Sequence, residues 1–284
     1  MHDKPQATPT QEFRLPSARV LAIAGRDAVA FAQAQFMSDV AALGDGQWQW
    51  SGWLTAKGRL IALFALLRLD AQTLWLLLPD ADPAALADAL RRYVFRSKVV
   101  LSIPDIAAAG CFAPPAPAAG NRFARLDDAR IALDMSGDAA VRTLILGSRA
   151  AAEDADALAR WDMADLVHGL PRLPSTQAGQ WTPQQLSLER LRAFSVSKGC
   201  YPGQEIVART HFLGQAKRGL ALLEGDAPLV AGSEVHQNGQ AIGSCVASAG
   251  LLALAVLPYA HADGLQDAAG RPLRQRPLAD GLAR

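Results

Sequence analysis

The sequence predicts an α+β fold of two αβ units followed by a small, barrel-like all-β domain. Three observations predict it. Strand-like and helix-like segments alternate up to about residue 112. The stretch Ala113–Gly120, APPAPAAG, then punctuates the chain, and the pattern starts again behind it. Beyond Gly214 only short apolar runs remain, separated by Gly, Pro, Asn and Asp, the pattern of a small β domain. The expected units are residues 13–112, 121–212 and 214–284.

Each element has a local reason. Residues 1–12 read as a polar tail. Arg19–Ala24 reads as a strand closed by Gly25, and Asp27 as the cap of a helix to about Met37. Trp48, Trp50 and Leu54 share one face of an alternating strand. Thr55–Arg59 is a turn in which Gly58 supplies backbone freedom. Leu60–Leu69 and Thr73–Leu78 read as strands around a short turn. Asp82-Pro83 opens a helix to about Tyr93, with Asp as cap and Pro at the first helical position. Lys98–Ser102 is a further strand.

In the second unit, Arg130–Leu133 and Val141–Leu146 read as strands. Ser148 reads as the cap of a helix through Arg160. A second helix, Trp161–His168, stops at Gly169 with Pro171 beyond. Ser187–Phe194 reads as one more short helix. Leu220–Leu223, Ala241–Ala247 and Leu251–Leu257 are strands of the third unit, and Arg271–Arg276 reads as an exposed, Arg-rich terminus.

Composition excludes several function classes. Lys plus Arg number 28 against 27 Asp plus Glu, and half of the residues are hydrophobic, which excludes a disordered chain. The net charge of +1 supplies no global field for a nucleic acid, so no direct nucleic-acid binding is expected. The local cluster Arg91, Arg92, Arg96 and Lys98 could guide a polyglutamate tail or touch RNA, but reads first as a solvated helix end. Cys111, Cys200 and Cys245 are odd in number and far apart, which excludes a disulfide scaffold and points to a reducing cytoplasm. The first residues lack the apolar stretch of a secretory signal. The longest apolar runs, Leu60–Leu67 and Leu251–Leu257, fall short of the ~20 residues of a spanning helix, so no membrane partner is expected.

The chemistry concentrates in Lys198-Gly-Cys-Tyr-Pro-Gly-Gln-Glu205 and the residues up to Arg209. Two glycines and a proline fix a tight backbone around Cys200, and Glu205–Arg209 opens a short helix. A thiol ahead of a helix N-terminus feels the positive end of the dipole and the free N–H groups. Lys198 adds a cation. All of these favour thiolate, and Gln204 and Glu205 offer hydrogen bonds to orient the sulfur or a ligand. The alternative is a small buried hydrophobe in a glycine-rich turn. His211 lies eleven residues beyond Cys200 and could pair with it, but nothing in the spacing demands this and a surface histidine is the preferred reading. His168, just before Gly169, reads as a helix-end cation or a packing residue.

Lys-Gly-Cys-Tyr-x-Gly-Gln-Glu resembles the signature of the YgfZ family of folate-binding, tRNA-modifying and iron–sulfur-assembly proteins, a branch of the glycine-cleavage T-protein fold. The resemblance continues in Gly169-Leu170-Pro171, Gln180–Gln184 and Leu188 before the signature, and Gly214–Arg218 after it. Near the N-terminus, Gln35–Val40 and Leu54–Arg59 resemble two further blocks of the family.

The resemblance implies a T-protein-like fold: two αβ units with antiparallel sheets, joined to a C-terminal β-barrel around a central channel that admits a folate. It implies a folate-binding accessory factor that maintains iron–sulfur enzymes and so indirectly supports tRNA modification. Its cofactor would be tetrahydrofolate or a folate derivative, with transient iron–sulfur cluster contact. Its partners would be iron–sulfur client enzymes or assembly proteins. Cys200 matches the functional thiol with Lys198 as supporting cation, and Trp161, Tyr201, Gln204, Glu205 and Arg209 are the implied cofactor-binding residues. T-protein enzymes carry a carboxylate near the position of Ala56-Lys57, so T-protein-type catalysis is not expected here. The family's pterin-gripping Glu falls near Val167. Trp161 either stacks on a pterin or benzoyl ring or anchors the core. A folate-dependent aminomethyltransferase, with another acid such as Asp39 as base, and a non-catalytic scaffold remain as alternatives.

Overall fold

Two five-stranded sheets and one six-stranded sheet, antiparallel throughout, carry the chain in a computed structural model that describes residues 11–147, 151–214 and 216–284. In chain order come β1 (Phe13–Arg14), β2 (Arg19–Ala24), α1 (Ala28–Gln35), β3 (Gln47–Leu54), β4 (Leu60–Asp70), β5 (Thr73–Leu78) and α2 (Pro83–Arg91). Then follow β6 (Val100–Ser102), β7 (Ala107–Cys111), β8 (Ala124–Arg125), β9 (Ile131–Asp134), β10 (Thr143–Gly147), α3 (Ala155–Val167) and α4 (Gln204–Phe212). The last stretch holds β11 (Arg218–Gly225), β12 (Glu234–Gln237), β13 (Gln240–Ala249), β14 (Leu252–Pro258), β15 (Leu265–Asp267) and β16 (Leu273–Arg276).

The first sheet runs β3-β4-β5-β2-β6. Its β3 is apolar on both faces. Trp48, Trp50 and Leu54 enter the central core, whereas Trp53 enters a second core under α1 and α2. A register shift between Trp53 and Leu54 swaps the parity of β4, so Ala62, Phe64 and Leu66 face the helices and Leu63, Ala65 and Leu67 the centre. Asp82 caps α2 as expected, accepting hydrogen bonds from the Ala84 and Ala85 amides.

The second sheet runs β1-β7-β10-β9-β8, so the first sequence segment does not stop at a sheet boundary: Phe13–Arg14 and Ala107–Cys111 belong to the second sheet. The Ala-Ala-Ala-Gly-Cys run of β7 has no β-branched residue to announce a strand. Gly110 explains its composition, since a Cβ there would meet the Phe13 and Trp161 rings at 2.8 and 2.9 Å. The 113–120 stretch is a tied loop and not a free linker. The Trp48 indole donates to the Gly120 carbonyl, and the Gly120 amide donates to Asp134.

Other expectations are corrected. α3 is one helix capped by Asp154, not two, its buried stripe Ala157, Trp161 and Asp165 running four residues apart without a break; Ser148 lies outside the described residues. The 187–194 segment keeps only a short tight turn, Leu188–Leu191, between left-handed Ser187 and Arg192. Residues 271–276 are exposed as expected apart from Leu273, but Leu273–Arg276 also form strand β16. The Arg271 guanidinium there pairs with Asp267 at 2.6 Å.

The third sheet, β15-β12-β13-β14-β11-β16, is nearly closed, with Gln266 bridging Pro272 between its outer strands. Its inner face buries Leu223, Val235, Cys245 and Ala255, while Leu222, Val246, Leu254 and Val256 turn outward into the central core that all three sheets share. Residues 278–284 thread back through that core. The Ala279 amide donates to the Val167 carbonyl, and the Trp50 indole donates to the Leu282 carbonyl. Arg284 caps the Asp134 and Ser136 carbonyls at 2.8 Å each. Among the described residues no helix is long and apolar enough to cross a membrane.

Candidate functional site

Two places in this frame carry chemistry: a thiol loop and a central cavity. The loop is held by its backbone. Gly203, immediately before α4, has φ +77, and a Cβ on it would stand 2.6 Å from the Thr55 carbonyl oxygen and 2.7 Å from Gly58 Cα. Only glycine satisfies both the dihedral and the close approach. The Thr55–Arg59 turn and the Lys198–Glu205 loop therefore meet backbone to backbone. Ala56 and Lys57 are exposed on the tip of that turn and offer no carboxylate.

Lys198 is buried, and its ammonium donates to the carbonyls of Gln33, Phe36 and Ser38 at 2.6, 2.6 and 2.8 Å. Two of these belong to the last turn and C-cap of α1, where backbone acceptors lack helical partners and the dipole is negative. Burial pushes the ammonium down to about 8, and Asp39 opposes the shift. An ammonium has three donors. All three are spent here, so Lys198 positions the loop against α1 and has no donor left for the Cys200 sulfur. Its charge also sits 4.9 Å over the Tyr201 ring. The Tyr201 hydroxyl donates to the Ser195 carbonyl, and burial raises its pKa to about 12. Gln204 donates to the Lys198 carbonyl.

This bracing leaves Cys200 exposed, whereas Cys111 and Cys245 are buried. Burial pushes the Cys111 thiol up and the Cys245 thiol to about 12. Glu205, Arg209 and His211 are exposed along α4, and Phe212 and Leu213 expose most of their surface at its end. The basic cluster Arg91, Arg92, Arg96 and Lys98 is likewise on the surface, with Arg91 paired to Asp88.

The central cavity, about 40 Å³, has Trp50, Trp161 and Leu170 among its apolar walls and Asp162, Asp165 and Arg172 on its polar side. A wider opening of about 270 Å³, reaching the barrel at Ala247 and Ser248, shares Asp162 and Arg172 with it. Of the implied cofactor-binding residues, Trp161 borders the cavity; Tyr201, Gln204, Glu205 and Arg209 do not. Val167 does not border it either. Arg142, fully buried, donates to the Trp161 carbonyl and to Asp165 at 2.7 Å, and its guanidinium lies 4.6 Å over the Trp161 ring. Arg172 bonds Asp80, Asp162 and Ser17. Burial works against the Arg172 charge, but the hydrogen bond and charge of Asp80 with its acidic neighbours raise its pKa. Burial raises the Asp162 carboxyl, with Arg172 opposing.

None of Arg142, Asp162, Asp165 or Arg172 stands out in the sequence, because isolated charged residues on a helix, as Asp162 and Asp165 are, or in a loop, as Arg142 and Arg172 are, ordinarily face solvent. His168 resolves as packing. Its Nδ1 lies 2.7 Å from the Ala164 carbonyl, Nε2 accepts from the Ala139 amide, and burial lowers its pKa, so it is not a helix-end cation.

A tRNA-modifying protein YgfZ from Klebsiella pneumoniae (strain 342) is 30% identical over 256 residues, covering 80% of this chain and 77% of the relative. This chain belongs to the YgfZ family. A YgfZ protein of Vibrio vulnificus (strain YJ016) is 29% identical over 220 residues, covering 72% of this chain and 67% of its own length. No family model matches the chain. The YgfZ fold seen here is that of a T-protein: the glycine cleavage system aminomethyltransferase T from Bartonella henselae superposes with a TM-score of 0.71 at 16% identity, covering 94% of this chain and 85% of that one.

Within the YgfZ chain, the three sequence blocks converge in space. The Gln35–Val40 region supplies carbonyls to Lys198, the Thr55–Arg59 turn packs on Gly203, and the signature loop presents the cysteine.

Proposed function

We propose that this YgfZ-family chain is a cytoplasmic, folate-binding accessory factor for iron–sulfur enzymes, with Cys200 as its functional thiol. The observation that carries the reading is the braced loop, which leaves Cys200 as the one exposed thiol of three. On losing its proton, the sulfur becomes a single thiolate ligand for a cluster iron. Among the described residues no three His, Cys, Asp or Glu side chains come together as a metal-holding group. The other ligands therefore come from a client enzyme, an assembly protein or a small thiol, and contact is transient. Support for tRNA modification runs through such a client.

The central cavity together with the wider opening of about 270 Å³ that shares Asp162 and Arg172 with it carries side chains that suit a pterin in their chemistry. Trp161 and Trp50 supply flat apolar walls. Asp162, one of whose carboxylate oxygens is engaged by Arg172, takes the part of the ring-gripping acid that Val167 cannot play. When bound, a reduced folate supplies a carrier for one-carbon units.

The test is tetrahydrofolate binding followed by tryptophan fluorescence, alongside rescue of iron–sulfur enzyme activity in cells lacking the protein. Asp162→Asn is expected to weaken folate binding about tenfold. Cys200→Ala is expected to leave binding intact and abolish rescue. Full rescue by Cys200→Ala would make the chain a scaffold, and absence of folate binding by the wild type would remove the folate from its function.

A further inference from the structure

The connection from α2 to β6, residues 92–99, is pinned on its inner side. Val94 and Val99 pack against the core under α1 and α2. The Val94 amide donates to the Arg91 carbonyl, and the Lys98 amide donates to the Asp27 carboxylate at 2.7 Å. Gly25 approaches so closely that a Cβ on it would stand 2.1 Å from the Lys98 carbonyl oxygen.

The outward positions of this braced connection interleave cations with aromatic rings. Arg91, Arg92, Tyr93, Phe95, Arg96 and Lys98 are all exposed. Phe95 is 84% exposed, so it adds almost nothing to the core. The Arg96 guanidinium lies over its ring at 5.2 Å, and the two planes form one flat platform. The Tyr93 ring stands edge-on to Trp53 at 5.8 Å and is half-exposed. Arg26 joins the patch through its neighbour Asp27. Acids are few. Asp88 is paired with Arg91 and Asp27 with Arg26, and among the described residues Arg92, Arg96 and Lys98 have no carboxylate within ion-pair distance. Five cations against two acids leave a local charge of +3 in a chain of net +1. The near-neutral total, from which no nucleic-acid contact is expected, hides this local excess.

We propose that this connection is a binding site for single-stranded nucleic acid, with a base stacked on Phe95 and successive phosphates on Arg92, Arg96 and Lys98. Cations alone would suit any polyanion. The interleaved rings suit one whose every unit carries a flat face beside its charge. A duplex keeps those faces inside its own stack. The patch and the thiol loop lie at opposite ends of α1: Asp27 precedes its first turn and Lys198 is bonded at its last, about 12 Å along the axis. The proposal therefore stands apart from the roles proposed for Cys200 and for the folate cavity.

Fluorescence anisotropy of labelled octauridylate and octathymidylate with the full chain tests this. Saturable binding with a Kd of about 1–100 μM at low salt is expected, weakening with a log–log salt slope of about −2 for three phosphate contacts. Phe95→Ser should weaken oligonucleotide binding about tenfold and leave the binding of inorganic polyphosphate unchanged. Arg92→Ser with Arg96→Ser should weaken both ligands and flatten the slope to about −0.7. These positions are exposed, so the variants should melt like the wild type. Cys200→Ala and Asp162→Asn should bind the oligonucleotides as the wild type does. Absence of saturation at about 1 mM protein in low salt overturns the proposal. So does an equal loss for oligonucleotide and polyphosphate in Phe95→Ser, which would leave charge alone at work. Phe95-dependent binding to phosphatidylserine vesicles without binding of either oligonucleotide would make the patch a membrane contact instead.

Discussion

Replacing Asp165 by Asn tests how the cavity wall is held. Asp165 and Arg142 are 4% and 0% exposed at the side chain and lie 2.7 Å apart. Among the described residues the Arg142 guanidinium has no other carboxylate against it; its remaining bond is to the Trp161 carbonyl, and its Nε and Nη2 are buried without partners. The Asn variant keeps the shape and removes the charge, leaving a guanidinium in the core with nothing to neutralise it. Breaking a buried pair in this way costs about 3–5 kcal/mol. Exchanging both partners for apolar residues of similar volume removes the desolvation penalty as well. The double variant Arg142→Met with Asp165→Leu should therefore recover at least ~2 kcal/mol over Asp165→Asn, less what Arg172 loses, since its Nη1 also leans on Asp165 at 3.7 Å. Urea unfolding followed by near-ultraviolet dichroism measures both, the aromatic signal reporting Trp161 directly. A loss under ~1 kcal/mol for Asp165→Asn, or a double variant no better than the single one, would refute the argument.

Three further outcomes are expected. Lys198→Met leaves the Phe36 and Ser38 carbonyls buried without a donor, and should cost roughly 2–4 kcal/mol in urea unfolding, with faster alkylation of Cys200 as the loop loosens from α1. Gly203→Ala should destabilise by more than ~2 kcal/mol, because its φ of +77 and the 2.6 Å approach to the Thr55 oxygen leave no room for a methyl group; a thermal melt like that of the wild type would contradict this. Burial holds His168 below its ordinary value of 6.5. Its contribution to stability is therefore complete above pH 6.5 and lost as pH falls through the folded-state value. The urea midpoint should drop between about pH 7.5 and about pH 5.5 by more in the wild type than in His168→Gln.

Much of the first sheet was legible because its signals are local. Asp82-Pro83 announces α2, and tryptophans at alternate positions announce β3. The signature loop was legible as unusual chemistry around Cys200, but the role of Lys198 was not. From the sequence it is a cation two residues from a thiol. Only the fold brings α1's unpaired carbonyls to it, across about 160 residues of chain. β7 was missed because its alanines are chosen by the Phe13 and Trp161 rings that crowd Gly110, a contact no periodicity encodes. Asp162, Asp165 and Arg172 were missed for a related reason. A charged position on a helix, as for Asp162 and Asp165, or in a loop, as for Arg172, is read as solvated, and burial with a distant partner is a tertiary fact.

The returning segment 278–284 sets the order in which this molecule can become whole during synthesis. β2 to β6 and their two helices are complete once residue 102 has emerged from the ribosome. The shared core is not, because Leu282 is one of its buried members and Arg284 covers the Asp134 and Ser136 carbonyls. Until that stretch is translated, the indole of Trp50 and the end of α3 lack their final partners. The nascent chain therefore waits with a folded first layer and an open apolar face. A stalled or clipped product lacking those seven residues would expose that face to chaperones and proteases while containing the sequence of every strand.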